Sequence, residues 1–244
     1  MRRPVQTLLL TLTGIGLLHS ALFTDTYLRY VKAGLRAPLI ASGVVLLLLA
    51  VAAAAVGGEQ RPVAHDDHGH GHDHSGAPRI AWLLFLPAVS LLLYAPPALG
   101  AYTAARSNTQ SVAVQKGFAP LPPTTPLPLT LTDFTKRVQQ DRSRAIKNRV
   151  VQLTGFVTPA EDNDGWYLTR IIFTCCAADS QTVKIRVYGT EAPPENTWLA
   201  VTGTWHPRGS LGTKTAQAAL DVQETRAIAQ PVNAYTDDLP LTPS

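Results

Sequence analysis

Apolar residues are distributed along this chain in two ways. Residues 7–24, 38–56 and 80–102 are nearly continuous apolar runs, whereas from residue 149 onward short apolar and polar positions alternate. A bilayer core of roughly 30 Å takes about 20 apolar helical residues to cross. "TLLLTLTGIGLLHSALFT", "PLIASGVVLLLLAVAAAAV" and "IAWLLFLPAVSLLLYAPPALGAY" each meet that length. They predict three transmembrane helices within residues 1–106. Arg2 and Arg3 ahead of the first run would also suit a secretory signal, but no clean small-x-small cleavage site follows, so a retained anchor is expected. Pro87, Pro96 and Pro97 interrupt the third run. Prolines in a membrane helix free carbonyls that neighbouring helices must satisfy; they point to packing against another membrane protein, or to a helix that ends near Tyr94.

The second half carries a different rhythm. Residues 107–130 include "GFAPLPPTTPLPLT", whose Pro/Thr content suits a semi-rigid spacer. "LTDFTKRVQQDRSRAI", residues 131–146, reads as a short helix capped by Thr132 or Asp133, with Leu131, Phe134 and Val138 as its apolar stripe. Five strand-like runs follow: "RVVQLTGFV", "WYLTRIIFT", "TVKIRVYG", "TWLAVTGTWH" and "ALDVQETRAIA", the last also able to begin as a helix. In the third, Val183, Ile185 and Val187 fall on one face and Lys184 and Arg186 on the other. Gly155 and Gly203 recur in "LTGFV" and "VTGTW", where glycine marks a bulge or sharp bend. The expected fold of residues 131–230 is a small, mainly β domain: a partly open five-stranded barrel of the OB type, with a small sandwich as the alternative. Residues 231–244 look like a loose tail.

Charge changes the picture in one respect. From residue 130 onward the chain has 12 Lys+Arg and 12 Asp+Glu, so the net +4 lies entirely in the first 129 residues. The basic balance therefore reports membrane flanks, and a nucleic-acid partner, held chiefly by phosphate charge, is not expected. The basic flanks do not decide orientation by the positive-inside rule. The Arg-Arg start and the Pro/Thr spacer favour a cytoplasmic N-terminus and an extracytoplasmic C-terminal domain.

Two patterns carry chemistry. The first is "HDDHGHGHDHSG", residues 65–76, in a loop spanning 59–79 between the second and third apolar runs. His65, His68, His70, His72 and His74 offer imidazoles suited to zinc, copper or nickel, with Asp66, Asp67 and Asp73 as oxygen donors. The spacing lacks the geometry of a structural zinc site and suits a loop that captures or buffers ions. The second is Cys175 and Cys176, the only two cysteines, side by side at the end of a strand. A disulfide between neighbours is strained, because typical bridges want Cα atoms roughly 4.4–6.8 Å apart. A redox pair usually has two residues between its cysteines. Metal ligation needs the strand to end there so that both thiols face one ion, with Asp179 and His206 completing a tetrahedral site. Burial as two small apolar side chains is the fourth reading.

The stretches "VVQLTGFV", "YLTRIIFTCCAADSQTVKIRV" and "WLAVTGTW" resemble the YcgQ-like family of predicted bacterial permease subunits, over roughly residues 130–225. The specific part is Cys175-Cys176-Ala177-Ala178-Asp179 after an Arg-apolar strand. The resemblance implies membrane helices with a C-terminal OB-like domain, in a multi-pass protein of the bacterial cell membrane, surrounded by lipid and partnered by an integral-membrane permease. It carries no catalytic residues. The expected function is that of a membrane-anchored accessory subunit in transition-metal handling, zinc foremost or another divalent ion. An OB-like module for a peptide, sugar or protein partner, with Trp166, Tyr167, Trp198 and Trp205 as stacking rings or, more simply, core, is one alternative. A thiol redox protein is the other. No Ser-His-Asp set, phosphate loop or paired carboxylates stand out, which leaves enzyme status open with the balance toward a non-enzyme.

Overall fold

The computed structural model describes residues 3–56, 99–107, 112–160 and 164–241, which fall into two compact units. The expected third span, apart from its last residues, and all five loop histidines lie outside the described residues.

In the first unit, helices α1 (Arg3–Leu22) and α2 (Arg36–Val56) pack antiparallel. Arg36 Nε donates to the Ala21 carbonyl at 2.9 Å, tying the end of one helix to the start of the other. Near mid-helix, Gly14 and Gly43 let the backbones approach closely: a Cβ on Gly14 would lie 3.0 Å from the Gly43 carbonyl oxygen. Small residues serve this purpose between membrane helices. Both helices, over Val5–Leu22 and Ala33–Ala55, are long and apolar enough to cross a membrane. Leu8, Leu12, Ile15, Val45, Leu48 and Val51 are exposed along them.

The second unit comprises residues 28–32 and 99–244. Its sheet is a closed barrel of five strands: β2 (Val151–Thr158), β3 (Trp166–Ile172), β4 (Gln181–Tyr188), β5 (Trp198–Trp205) and β6 (Ala219–Ala227). A two-residue strand β1 (Leu127–Pro128) adds to β2 in parallel. The order is β2-β3-β4-β6-β5, with β4 and β6 parallel and the other pairs antiparallel. Six pairings from Val151↔Gly203 to Phe156↔Trp198 join β5 back to β2, so the barrel is closed where a partly open one was expected. Closure depends on the glycines. Gly155 is flanked by β5 through Leu199 and approaches β3 so closely that a Cβ there would sit 2.6 Å from the Thr169 carbonyl oxygen. Gly203 stands at the register shift between β5 and β6.

Alternating residues fill the interior: Leu153, Trp166, Leu168, Ile185, Val187, Leu199, Val201 and Leu220 are buried. Helix α4 (Leu131–Gln140) covers one side with Phe134 and Val138. Its cap is Thr130, whose side chain accepts from Asp133 N at 3.0 Å, rather than Thr132 or Asp133. It ends at Gln140, where Asp141 turns extended (ψ 96°) and its carboxylate accepts from Ser143 N at 2.9 Å.

Three expectations change in this unit. Residues 99–102, the end of the expected third span, belong to the barrel unit: helix α3 (Ala101–Arg106) starts where Ala101 N donates to Asn196 Oδ1 at 2.7 Å. The Pro/Thr stretch is not a free spacer over residues 112–130. Arg137 donates to Ala119 O, and Arg149 to Pro122 O and Thr124 O, since a proline-rich segment offers carbonyls unpaired by its own N–H groups. The C-terminal segment is anchored as well: Tyr235 is buried, stacks on Phe173 at 4.6 Å and accepts from Phe173 N through its carbonyl.

Candidate metal centre

β3 ends at Ile172, opposite Gln181 of β4. The next residue, Phe173, is buried against Tyr235, which fixes the chain at the barrel rim. Beyond it the backbone turns through a short 3-10 helix, Ala177–Asp179, before β4 begins. A continuing strand would send adjacent side chains to opposite faces. The turn instead brings both sulfurs together, 3.7 Å apart, as free thiols.

Asp179 organises that turn. Its carboxylate accepts from Thr174 N at 3.0 Å, Cys175 N at 2.7 Å and Cys176 N at 3.2 Å. The Cys176 sulfur in turn accepts from the Asp179 N–H, completing a reciprocal cap. A second backbone segment supports the turn from outside: Lys32 N donates to Cys175 O at 2.9 Å and Ala177 N to Tyr30 O at 2.7 Å, forming an antiparallel bridge between Val31 and Cys176. Three residues carry no periodicity, so nothing in the local pattern announces this pairing.

The electrostatics follow from these contacts. The Cys175 thiol donates to the Asp179 carboxylate and lies beside Cys176, and its pKa is pushed up to about 11. The same thiol bond, foremost, and the backbone N–H groups hold the Asp179 carboxyl below its usual range, against a smaller opposing effect of desolvation. Removing a proton from Cys175 in the free protein is therefore unfavourable unless another positive charge replaces it.

A divalent cation would supply that charge. Ligand atoms of Cys175, Cys176 and Asp179 all lie within 4.8 Å of one another. Two sulfurs each about 2.3 Å from a tetrahedral zinc ion would lie about 3.8 Å apart, and the observed separation is 3.7 Å. That separation suits two ligands of one ion, and three protein donors would leave one position for water or another ligand.

His206 is not brought to this loop. Its Nδ1 pairs with Asp221 Oδ1 at 2.7 Å, and its ring lies 4.5 Å from that of Tyr188. Tyr188 ends β4, while Gln181, opposite Ile172, begins it. At about 3.3 Å per residue, an eight-residue strand separates its ends by more than 20 Å. Of the aromatic residues, Trp166 is fully buried in the core and Trp205 packs against it. Trp198 contacts Phe156 at 5.6 Å and carries Arg170 over its ring, and Tyr167 bonds Arg186.

Residues 132–236 match the family model described as the DUF1980 C-terminal domain, a span that takes in the whole barrel and the Cys175–Asp179 turn. Among curated proteins and solved structures, no match is found.

Proposed function

We propose that the protein is a membrane-anchored metal-binding subunit whose barrel unit holds or senses a soft divalent ion, zinc foremost, through Cys175, Cys176 and Asp179. The observation that carries this reading is the convergence of two thiols and a carboxylate on one exposed turn. The His-rich loop would collect ions for it, and an integral-membrane permease would be the partner, as the YcgQ-like resemblance implies. The two apolar helices support a membrane anchor; a third span and an extracytoplasmic barrel belong to the same proposal. The strand order supports the OB-type reading of the barrel.

Equilibrium dialysis of the full chain in detergent against zinc tests the site. The loop histidines are replaced by Asn throughout, so that they cannot mask the result. Binding by this protein and its loss in the Cys175→Ser/Cys176→Ser version is the expected outcome; equal, negligible binding by both removes the metal role of the barrel.

The thiol redox alternative fares less well on the same geometry. A pKa of about 11 at Cys175 leaves only about one thiolate in 10,000 at pH 7, and the thiolate is the attacking species.

A further inference from the structure

The barrel unit also carries a groove of about 1300 Å³ that none of the metal-site residues lines. Two segments meet there, each tied to the last turns of α4. Gln115 N donates to Gln140 Oε1 at 2.8 Å, which holds the stretch bearing Lys116. Gly212 N donates to Val138 O at 2.7 Å, which holds the β5–β6 loop bearing Thr213 and Lys214. That contact requires glycine, because Gly212 has φ +84° and a Cβ would lie 2.6 Å from the Asp141 carbonyl oxygen. Arg142 follows the helix directly, and the β3–β4 surface closes the groove with Tyr167 and Lys184.

The groove thus collects four cations, Lys116, Arg142, Lys184 and Lys214, against a single acidic lining residue. Among the described residues, Lys116, Arg142 and Lys214 have no carboxylate partner. The one acidic lining residue, Asp141, is buried and already engaged by Ser143 N at 2.9 Å and by Arg137 at 3.6 Å. The helix C-terminus contributes about half a negative charge, well short of four cations. Clefts lined by one sign of charge concentrate the opposite ion. The face formed by the second and third barrel strands with the last loop is also where OB-type barrels take ligands.

We propose that this groove binds a phosphate-bearing anion with at least two phosphate groups, either free or as a lipid headgroup. The volume exceeds that of a single inorganic anion, and the cations come from four separate segments, which suits charge spread along a ligand.

The test titrates the full chain in phosphatidylcholine nanodiscs with sodium tripolyphosphate by calorimetry. Saturable binding is expected, weakened by salt and unchanged in Cys175→Ser/Cys176→Ser. Lys116→Gln/Lys214→Gln should weaken it by at least about tenfold, the scale of losing two charge-assisted contacts, with an unchanged unfolding temperature. Nanodiscs containing cardiolipin, whose headgroup carries two phosphates, identify the source. If headgroups occupy the groove, tripolyphosphate binds more weakly there and the lysine variant erases the difference between discs. If the ligand is soluble, both discs give the same affinity. Absence of saturable binding, an unaltered affinity in the lysine variant, or tighter binding of an oligonucleotide of equal charge overturns the proposal.

Discussion

The Asp179 carboxylate accepts the Cys175 N–H at 2.7 Å and the thiol of the same residue, so one side chain sets both the backbone and the protonation of Cys175. Asp179→Asn removes the negative charge that keeps the thiol protonated. The Cys175 pKa should then fall from about 11 toward its ordinary value of 9.0. In a Cys176→Ser background, which leaves one sulfur to read, iodoacetamide should alkylate Cys175 faster in the Asn variant at every pH below about 9. An unchanged rate would mean that the carboxylate does not hold the proton.

Metal affinity should rise with pH. Cys175 stays protonated in the metal-free protein until about pH 11, and a bound ion must expel that proton. Affinity is therefore low in acid and climbs by at least about one decade per pH unit through the neutral range. Competition titrations with a chelator of known pH dependence check this. A flat profile would mean that the ion does not take the Cys175 sulfur.

Because His206 pairs with Asp221 at the far end of β4, His206→Ala should leave zinc binding at the cysteines unchanged. Dialysis of this variant beside Cys175→Ser/Cys176→Ser makes the comparison.

The barrel should be intolerant at two kinds of position. Phe134→Ala empties a fully buried site between α4 and the sheet and should cost roughly 3–5 kcal/mol. Gly155→Val drives a side chain into the Thr169 carbonyl and should cost about 2 kcal/mol or more through a forced backbone shift. Denaturant unfolding followed by tryptophan fluorescence measures both.

The inward face of the barrel was legible because alternation reports it: Val183, Ile185 and Val187 are buried as the pattern of β4 requires. The same pattern said nothing about what covers the other face. Arg186 is buried too, its guanidinium bonded to Asp164 O and Tyr167 OH. Cys175, Cys176 and Asp179 could be grouped from sequence because they are local, whereas His206 depended on which end of which strand lay nearby. The closure between β2 and β5, the docking of Tyr30–Lys32 on the turn and the anchoring of Tyr235 all join segments distant in the chain. No local periodicity encodes such contacts.

The central claim, that Cys175 and Cys176 ligate one ion, is tested most directly by cobalt(II) in place of zinc. Thiolate ligation gives an intense near-ultraviolet charge-transfer absorption that imidazole and carboxylate ligands do not, so the His-rich loop cannot imitate it. The full chain should develop that absorption on titration and lose it in Cys175→Ser/Cys176→Ser. A wild-type protein without the absorption, or a double variant that keeps it, would contradict the account.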